Sequence, residues 1–170
     1  AIKKYGKFTK KVLNLDRREI VYIDGPYGVF TDELNRVASN ESMPVVMFAG
    51  GIGVTPYLQH ARSAKVSDDT VLFNCNRNPD VALFADVLKN RLHDGYVDVY
   101  SRVDPSEATG ASNVEFGHIN KDMVKKHLKR EPGSYLYFIC GHEEFMDTVR
   151  GILTELDVPK KQVRLEEFSF

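Results

Sequence analysis

Gly50-Gly51-Ile52-Gly53-Val54-Thr55-Pro56 is a stretch whose chemistry lies in its backbone. Its glycines leave the peptide N–H groups uncovered by side chains. Threonine is a favoured helix N-cap, and proline is favoured at the first helical position, where its missing N–H is no loss. A helix starting there would aim free N–H groups and the positive end of its dipole at one point, which suits a phosphate or pyrophosphate. The same glycines would also serve a plain tight turn. Pro56 stands where the Gly-x-Gly-x-x-Gly fingerprint of dinucleotide sites has its third glycine, so the motif alone leaves both readings open.

Other strand ends carry groups suited to a nucleotide. Asn76 and Arg77 hold the place, about 20 residues past the glycines, where an acidic residue would bond the ribose 2′-OH of NAD. Ser101-Arg102 adds a hydroxyl and a second guanidinium. A guanidinium fork matches phosphate, so Arg77 and Arg102 together point to a 2′-phosphate, hence NADPH. As plain surface residues they would instead pair with Asp80 and Asp104. Cys140-Gly141-His142 lies at another strand end, where substrates sit, but no general base adjoins Cys140 and nucleophilic catalysis is unsupported. His142 reads as a metal ligand, an acid–base group or a helix-start residue, the last fitting best; Met146 reads as core. Gly6-Lys7-Phe8-Thr9 is a second place where N–H groups and a hydroxyl meet at a helix start. A turn with its cap explains that segment more simply. Phe168 and Phe170 close the sequence as aromatics that would fray unless they pack on something flat.

A regular frame is needed to position these groups. Val45–Phe48, Val71–Asn74, Tyr96–Tyr100, Tyr135–Ile139 and Gln162–Leu165 read as strands. Thr55–Lys65, Val81–Leu92, Ile119–Lys129 and Glu143–Leu156 read as helices. The alternation predicts an α/β fold, a doubly wound five-stranded parallel sheet. It places the glycine turn at the carboxyl edge near the switch in strand order, where such folds bind ligands. Residues 31–42 read as a connector with one helical turn around Asp32–Ala38, and Val103–Gly117 as a long polar stretch. Upstream, Lys10–Leu15 is a short helix-like turn. Ile20–Ile23 is a strand ending at the turn Gly25-Pro26-Tyr27-Gly28. Residues 1–30 read as the last piece of a preceding β domain, and residues 31–170 as the nucleotide-binding domain.

Composition narrows the classes. With 42% hydrophobic and 28% charged residues the chain is an ordinary globular sequence able to bury a core. A net charge of −1, with no basic stripe among aromatics, gives no support to nucleic-acid partners. No apolar run reaches the length of a bilayer span. The two cysteines form no metal-ligand spacing, which argues against zinc or an iron–sulfur cluster in this chain. A cytoplasmic setting is the default.

Taken in order, Gly6-x-x-Thr9, Gly25-Pro26-Tyr27-Gly28, Gly50 to Pro56, Ser101-Arg102, Cys140-Gly141 with Met146, and Glu166-x-Phe168 form a set. That set resembles the ferredoxin–NADP reductase superfamily, with the dehydrogenase region of NADPH oxidases and bacterial ferric reductases as its nearest flavour. The resemblance implies that Gly6, Lys7, Phe8 and Thr9 cradle the pyrophosphate of FAD, making residues 1–30 the end of a β-barrel flavin domain. It implies that Gly50, Gly51, Gly53, Thr55 and Pro56 line the pyridine nucleotide. Arg77, Ser101 and Arg102 would meet the 2′-phosphate of NADPH, with NADH as the lesser substrate. Cys140 and Gly141 would lie beside the nicotinamide as part of the catalytic centre. Phe168 would stack on the flavin ring, with Phe170 as the fallback. The Arg-x-Tyr/Phe-Ser/Thr flavin segment of the superfamily is absent here, so an upstream FAD-binding segment of the same protein is the implied partner.

On that resemblance the chemistry belongs to the cofactors, and hydride passes from nicotinamide to flavin. Electrons then leave singly for a haem in a transmembrane domain and onward to O2 or ferric iron, at the cytoplasmic face of a membrane. One alternative is a soluble ferredoxin- or oxygenase-type reductase component. Another is a module that binds NADPH without turnover.

Overall fold

Val45 to Gly50 forms β1, and its buried run is the centre of the sheet. The computed structural model describes residues 2, 6–22, 24–25, 28–38, 43–63, 67–107 and 113–167. The other strands are β2 Val71–Asn76, β3 Tyr96–Tyr100, β4 Val114–Phe116, β5 Leu136–Gly141 and β6 Val163–Glu167. The helices are α1 Lys7–Val12, α2 Phe30–Ala38, α3 Thr55–Ser63, α4 Ala85–Leu92, α5 Lys121–His127 and α6 Glu143–Glu155. All strand pairs are parallel, in the order β4-β3-β2-β1-β5-β6. From β1 the chain steps outward through β2, β3 and β4, then returns to lay β5 on the other side of β1. Strand order therefore reverses between β1 and β5.

Side-chain alternation along β1 separates two cores. Val45, Met47 and Ala49 pack with Leu34 of α2, Tyr57 and Ala61 of α3, and Leu88 and Leu92 of α4. Val46 and Phe48 face Val124 of α5 and Met146, Val149, Ile152 and Leu153 of α6. The spacing of those α6 residues is a single helical stripe, which is why this helix must lie on the sheet. Phe48 and Phe73 stack across β1 and β2 with centroids 5.0 Å apart. Each such buried ring contributes roughly 1.5–3 kcal/mol.

The frame expected from the sequence is present, with local differences. The sheet has six strands, not five: β4 lies inside the stretch expected to be a polar loop. It adds three residues to β3, where Lys126 Nζ and His127 Nε2 both reach Glu115 Oε1 at 2.7 Å. Val81–Leu92 is not one helix. A single 3-10 turn, Pro79–Val81, is separated from α4 by Phe84, whose φ of 60° breaks the helical run. The turn expected at Asp32–Ala38 is the longer α2, tied to β6 by Arg164 Nε and Glu33 Oε1 at 2.6 Å. Residues 20–22 form no strand, since no described segment pairs with them, and Ile20 and Tyr22 are exposed. Ile23, Pro26 and Tyr27 lie outside the described residues, as do Phe168 and Phe170.

Candidate functional site

The reversal beside β1 sets two loops against each other, and their glycines let them touch. Gly51 has φ of +57°, a left-handed conformation that favours glycine, and no atom would meet a Cβ placed there. Gly53 differs: a Cβ on it would land on the Cys140 carbonyl oxygen. Gly50 and Gly141 both lie under the Phe145 ring, which would meet their Cβ atoms at 2.8 and 2.7 Å. The glycine turn is thus close-packed against β5 on one side and open at Gly51 on the other.

Gly51–Val54 is a 3-10 turn running straight into α3. Helix therefore begins one residue earlier than capping by Thr55 requires. Thr55 is the first α-helical residue, Pro56 the second, and Thr55 Oγ1 donates to the Ile52 carbonyl at 3.1 Å. The hydroxyl covers no helix N–H, and the opening N–H groups of Gly51 and Ile52 have no partner within the 3-10 run. Tyr57 anchors this turn from below. Its buried hydroxyl sits 3.1 Å from the Phe48 carbonyl and 2.9 Å from that of Phe138, bridging the strands on either side of the reversal. Burial, with the Cys140 and Glu166 charges, holds its pKa well above the ordinary value. An isolated aromatic three residues into a helix gave no sequence signal for that role.

A cleft of about 880 Å³ runs over the carboxyl edge of the sheet. Gly50, Gly51 and Ile52 form part of its wall, with Asn76 and Arg77 after β2 and Ser101 and Arg102 after β3. The last four are held together by backbone: Ser101 N donates to Asn76 O at 3.0 Å, and Arg102 N to Arg77 O at 2.9 Å. Both arginines are exposed. No ion pair joins Arg77 to Asp80 or Arg102 to Asp104 among the described residues. Asp104 instead accepts from Ser106 Oγ at 2.7 Å and from Ser106 N at 2.9 Å, which lower its pKa. Two guanidinium groups therefore border the cleft uncommitted, beside the Ser101 hydroxyl, which donates to the Asn76 carbonyl at 3.5 Å.

The β5 end is built differently. His142 is the N-cap of α6, its Nδ1 accepting from Phe145 N at 3.1 Å, so the helix-start role is the observed one. Cys140 is fully buried in the core on the α3 side, and burial, reinforced by Glu166, pushes its thiol up to about 12. Cys75 borders the cleft, and burial and Asp98 push its thiol up as well. Neither is a thiolate near neutral pH, so neither is a ready nucleophile. Among the described residues no three His, Cys, Asp or Glu side chains gather as a metal site, and no helix is long and apolar enough to cross a membrane.

Gly6–Thr9 stands apart from this cleft at the start of α1. Thr9 Oγ1 accepts from Gly6 N at 3.1 Å and donates to Gly6 O at 3.2 Å. The hydroxyl is thus spent on its own turn. Lys7 and Phe8 are exposed.

A family described as the oxidoreductase NAD-binding domain matches residues 47–151. The chain is 30% identical over 152 residues to a flavohemoprotein of Rhodopirellula baltica, covering 85% of this chain and 36% of that protein. It is also 30% identical over 125 residues to the carnitine monooxygenase reductase subunit of Escherichia coli, covering 73% of this chain and 35% of the relative. The chain thus spans about a third of the length of these two relatives. Its fold matches a ferredoxin NADP+ reductase from Neisseria gonorrhoeae, solved with bound FAD and NADP. The TM-score is 0.71 at 18% identity, over 98% of this chain and 71% of that one.

Proposed function

Because the chain belongs to the oxidoreductase NAD-binding domain family, we propose that it is the pyridine-nucleotide half of a flavoprotein reductase and takes NADPH in preference to NADH. The observation that carries this reading is the open turn at Gly51, whose cleft continues to the uncommitted guanidinium groups of Arg77 and Arg102. When bound, the dinucleotide supplies a hydride for a flavin.

The residues of this chain do the holding. The first N–H groups of the 3-10 turn, at Gly51 and Ile52, grip the diphosphate, and Gly50, Gly51 and Gly53 keep side chains out of its way. Arg77, Ser101 and Arg102 take the 2′-phosphate. Thr55 and Pro56 fix the helix start, while Cys140 and Gly141 form the floor beneath the nicotinamide. The role of stacking on the flavin stays with Phe168, and with Phe170 as its fallback, on the sequence resemblance alone. Gly6, Lys7, Phe8 and Thr9 would serve the flavin pyrophosphate through backbone N–H groups, since the Thr9 hydroxyl is engaged with Gly6. The rest of the flavin site falls to an upstream segment.

The acceptor is a haem or iron–sulfur centre carried elsewhere. A flavohemoprotein and an oxygenase reductase subunit among the relatives favour the soluble reductase over the membrane-bound NADPH oxidase or ferric reductase. A transmembrane haem partner and a place at the membrane face gain no support from them.

Equilibrium titration of this chain with NADPH and NADH tests the assignment. NADPH should bind more tightly, and Arg102→Ala should weaken it about tenfold while leaving NADH nearly unchanged, as expected for one charge-assisted contact. Failure to bind either nucleotide at millimolar concentration would remove the reading. An unaltered preference in Arg102→Ala would remove the role of that arginine.

A further inference from the structure

A line of buried polar side chains crosses from α4 to the nucleotide cleft beneath the sheet edge. Lys89 Nζ of α4 lies 2.7 Å from Asp98 Oδ2 in the middle of β3. Tyr96 OH donates to Asp98 Oδ1 at 2.8 Å. Asn74 Nδ2 donates to Tyr96 OH at 2.7 Å, and Asn76 Nδ2 donates to Asn74 Oδ1 at 2.9 Å. Asn74 and Asp98 are fully buried, Tyr96 and Asn76 nearly so. Asn76 is the terminal member, and it borders the cleft beside Arg77.

The direction of these bonds is dictated by their first member. A carboxylate only accepts, so the single proton of the Tyr96 hydroxyl must point at Asp98. Its oxygen is then free only to accept, which obliges Asn74 to present Nδ2. Asn74 is left with Oδ1 toward Asn76, and Asn76 must answer with its own Nδ2. The amide oxygen of Asn76 is what remains. It accepts from no described residue and is not among the buried polar atoms without a partner. The polarity is thus fixed by chemistry and does not depend on how the two amides are drawn.

We propose that Asp98, Tyr96 and Asn74 are positioning residues that hold the Asn76 carbonyl oxygen toward the cleft, where it accepts from the 2′-hydroxyl of the adenosine ribose. This rests on the assignment of the cleft to a pyridine nucleotide and deepens it. A 2′-hydroxyl is the donor that NADH has and NADPH lacks. The Asn76 oxygen therefore works against the two arginines, and the site tolerates NADH because a fixed acceptor sits among its cations. A buried network with one allowed orientation presents this atom without an entropy cost on binding.

Dissociation constants of NADH and NADPH for the chain and for three variants test this. Asp98→Asn can donate to Tyr96 and so lets the line reverse, presenting Nδ2 of Asn76 instead. The ratio of NADPH to NADH affinity should rise by about three- to tenfold, the worth of about one hydrogen bond. Tyr96→Phe deletes only the hydroxyl, frees both amides to turn, and should shift the ratio the same way; it decides the matter if Asp98→Asn does not fold. Asn76→Asp, an acceptor that needs no orienting, should shift the ratio toward NADH by about tenfold. A line that served only to stabilise the fold would lower the melting temperature and leave the ratio unchanged in Asp98→Asn and Tyr96→Phe, and that result would overturn the proposal. If the unaltered chain bound neither nucleotide, the cleft assignment would fall with it. Binding with an unmoved ratio would remove the positioning role alone.

Discussion

At Gly53 the chain has no room for a methyl group, because the Cys140 carbonyl occupies the place a Cβ would take. At Gly51 the space is open and only the positive φ excludes other residues. The two glycines should therefore fail differently when replaced. Gly53→Ala should cost about 2–3 kcal/mol of folding stability as the turn is pushed off β5. Gly51→Ala should cost about 1 kcal/mol through its backbone alone. Urea unfolding of both variants checks the order, and equal losses would contradict it. The sequence makes this stretch stand out but not the division of labour, since the atom crowding Gly53 arrives from a strand far along the chain. Arg77, Ser101 and Arg102 were legible as a group, because strand ends of a parallel sheet converge. Asn74, Tyr96 and Asp98 were not: as lone polar residues in apolar runs they look like interruptions until the sheet pairs them.

Helices α2 and α3 meet at a buried histidine. His60 Nδ1 lies 3.0 Å from Asn35 Oδ1, and burial lowers the His60 pKa from 6.5 to about 4. Native His60 thus refuses a proton that the unfolded chain accepts between those values. Stability is full above about pH 7 and falls as the pH drops toward 4. Between pH 7 and pH 5 the loss from this group should be about 1–2 kcal/mol. Denaturant midpoints at the two pH values, compared with His60→Gln, should show that the variant lacks this component; the same pH slope in both would contradict it. At this scale the periodic elements were readable and the irregular ones were not. α6 declares itself by its apolar stripe and its cap. β4 is three half-buried residues in a polar stretch, made a strand by the free edge of β3. The expected Val81–Leu92 helix is split by Phe84, whose left-handed conformation no propensity foretells.

In the molecule as a whole, everything turns on the reversal between β1 and β5. Tyr57 clamps the two strands there, the glycines let their loops interlock, and the cleft opens above. The sequence sufficed for this plan, because alternation of strand and helix leaves few topologies. It led toward a membrane oxidase, whereas the relatives lie with flavohemoproteins and oxygenase reductases. That distinction rests on what is attached to this domain, which the motifs within it do not encode. On this reading the backbone N–H groups of Gly51 and Ile52 hold the diphosphate of a pyridine nucleotide. Amide NMR of the 15N-labelled chain during NADP+ titration checks this contact. Saturable shifts should concentrate on Gly51, Ile52 and Gly53, with a second group at Arg77, Ser101 and Arg102. Saturable shifts that spare Gly51–Gly53, or no shifts at millimolar nucleotide, would contradict it.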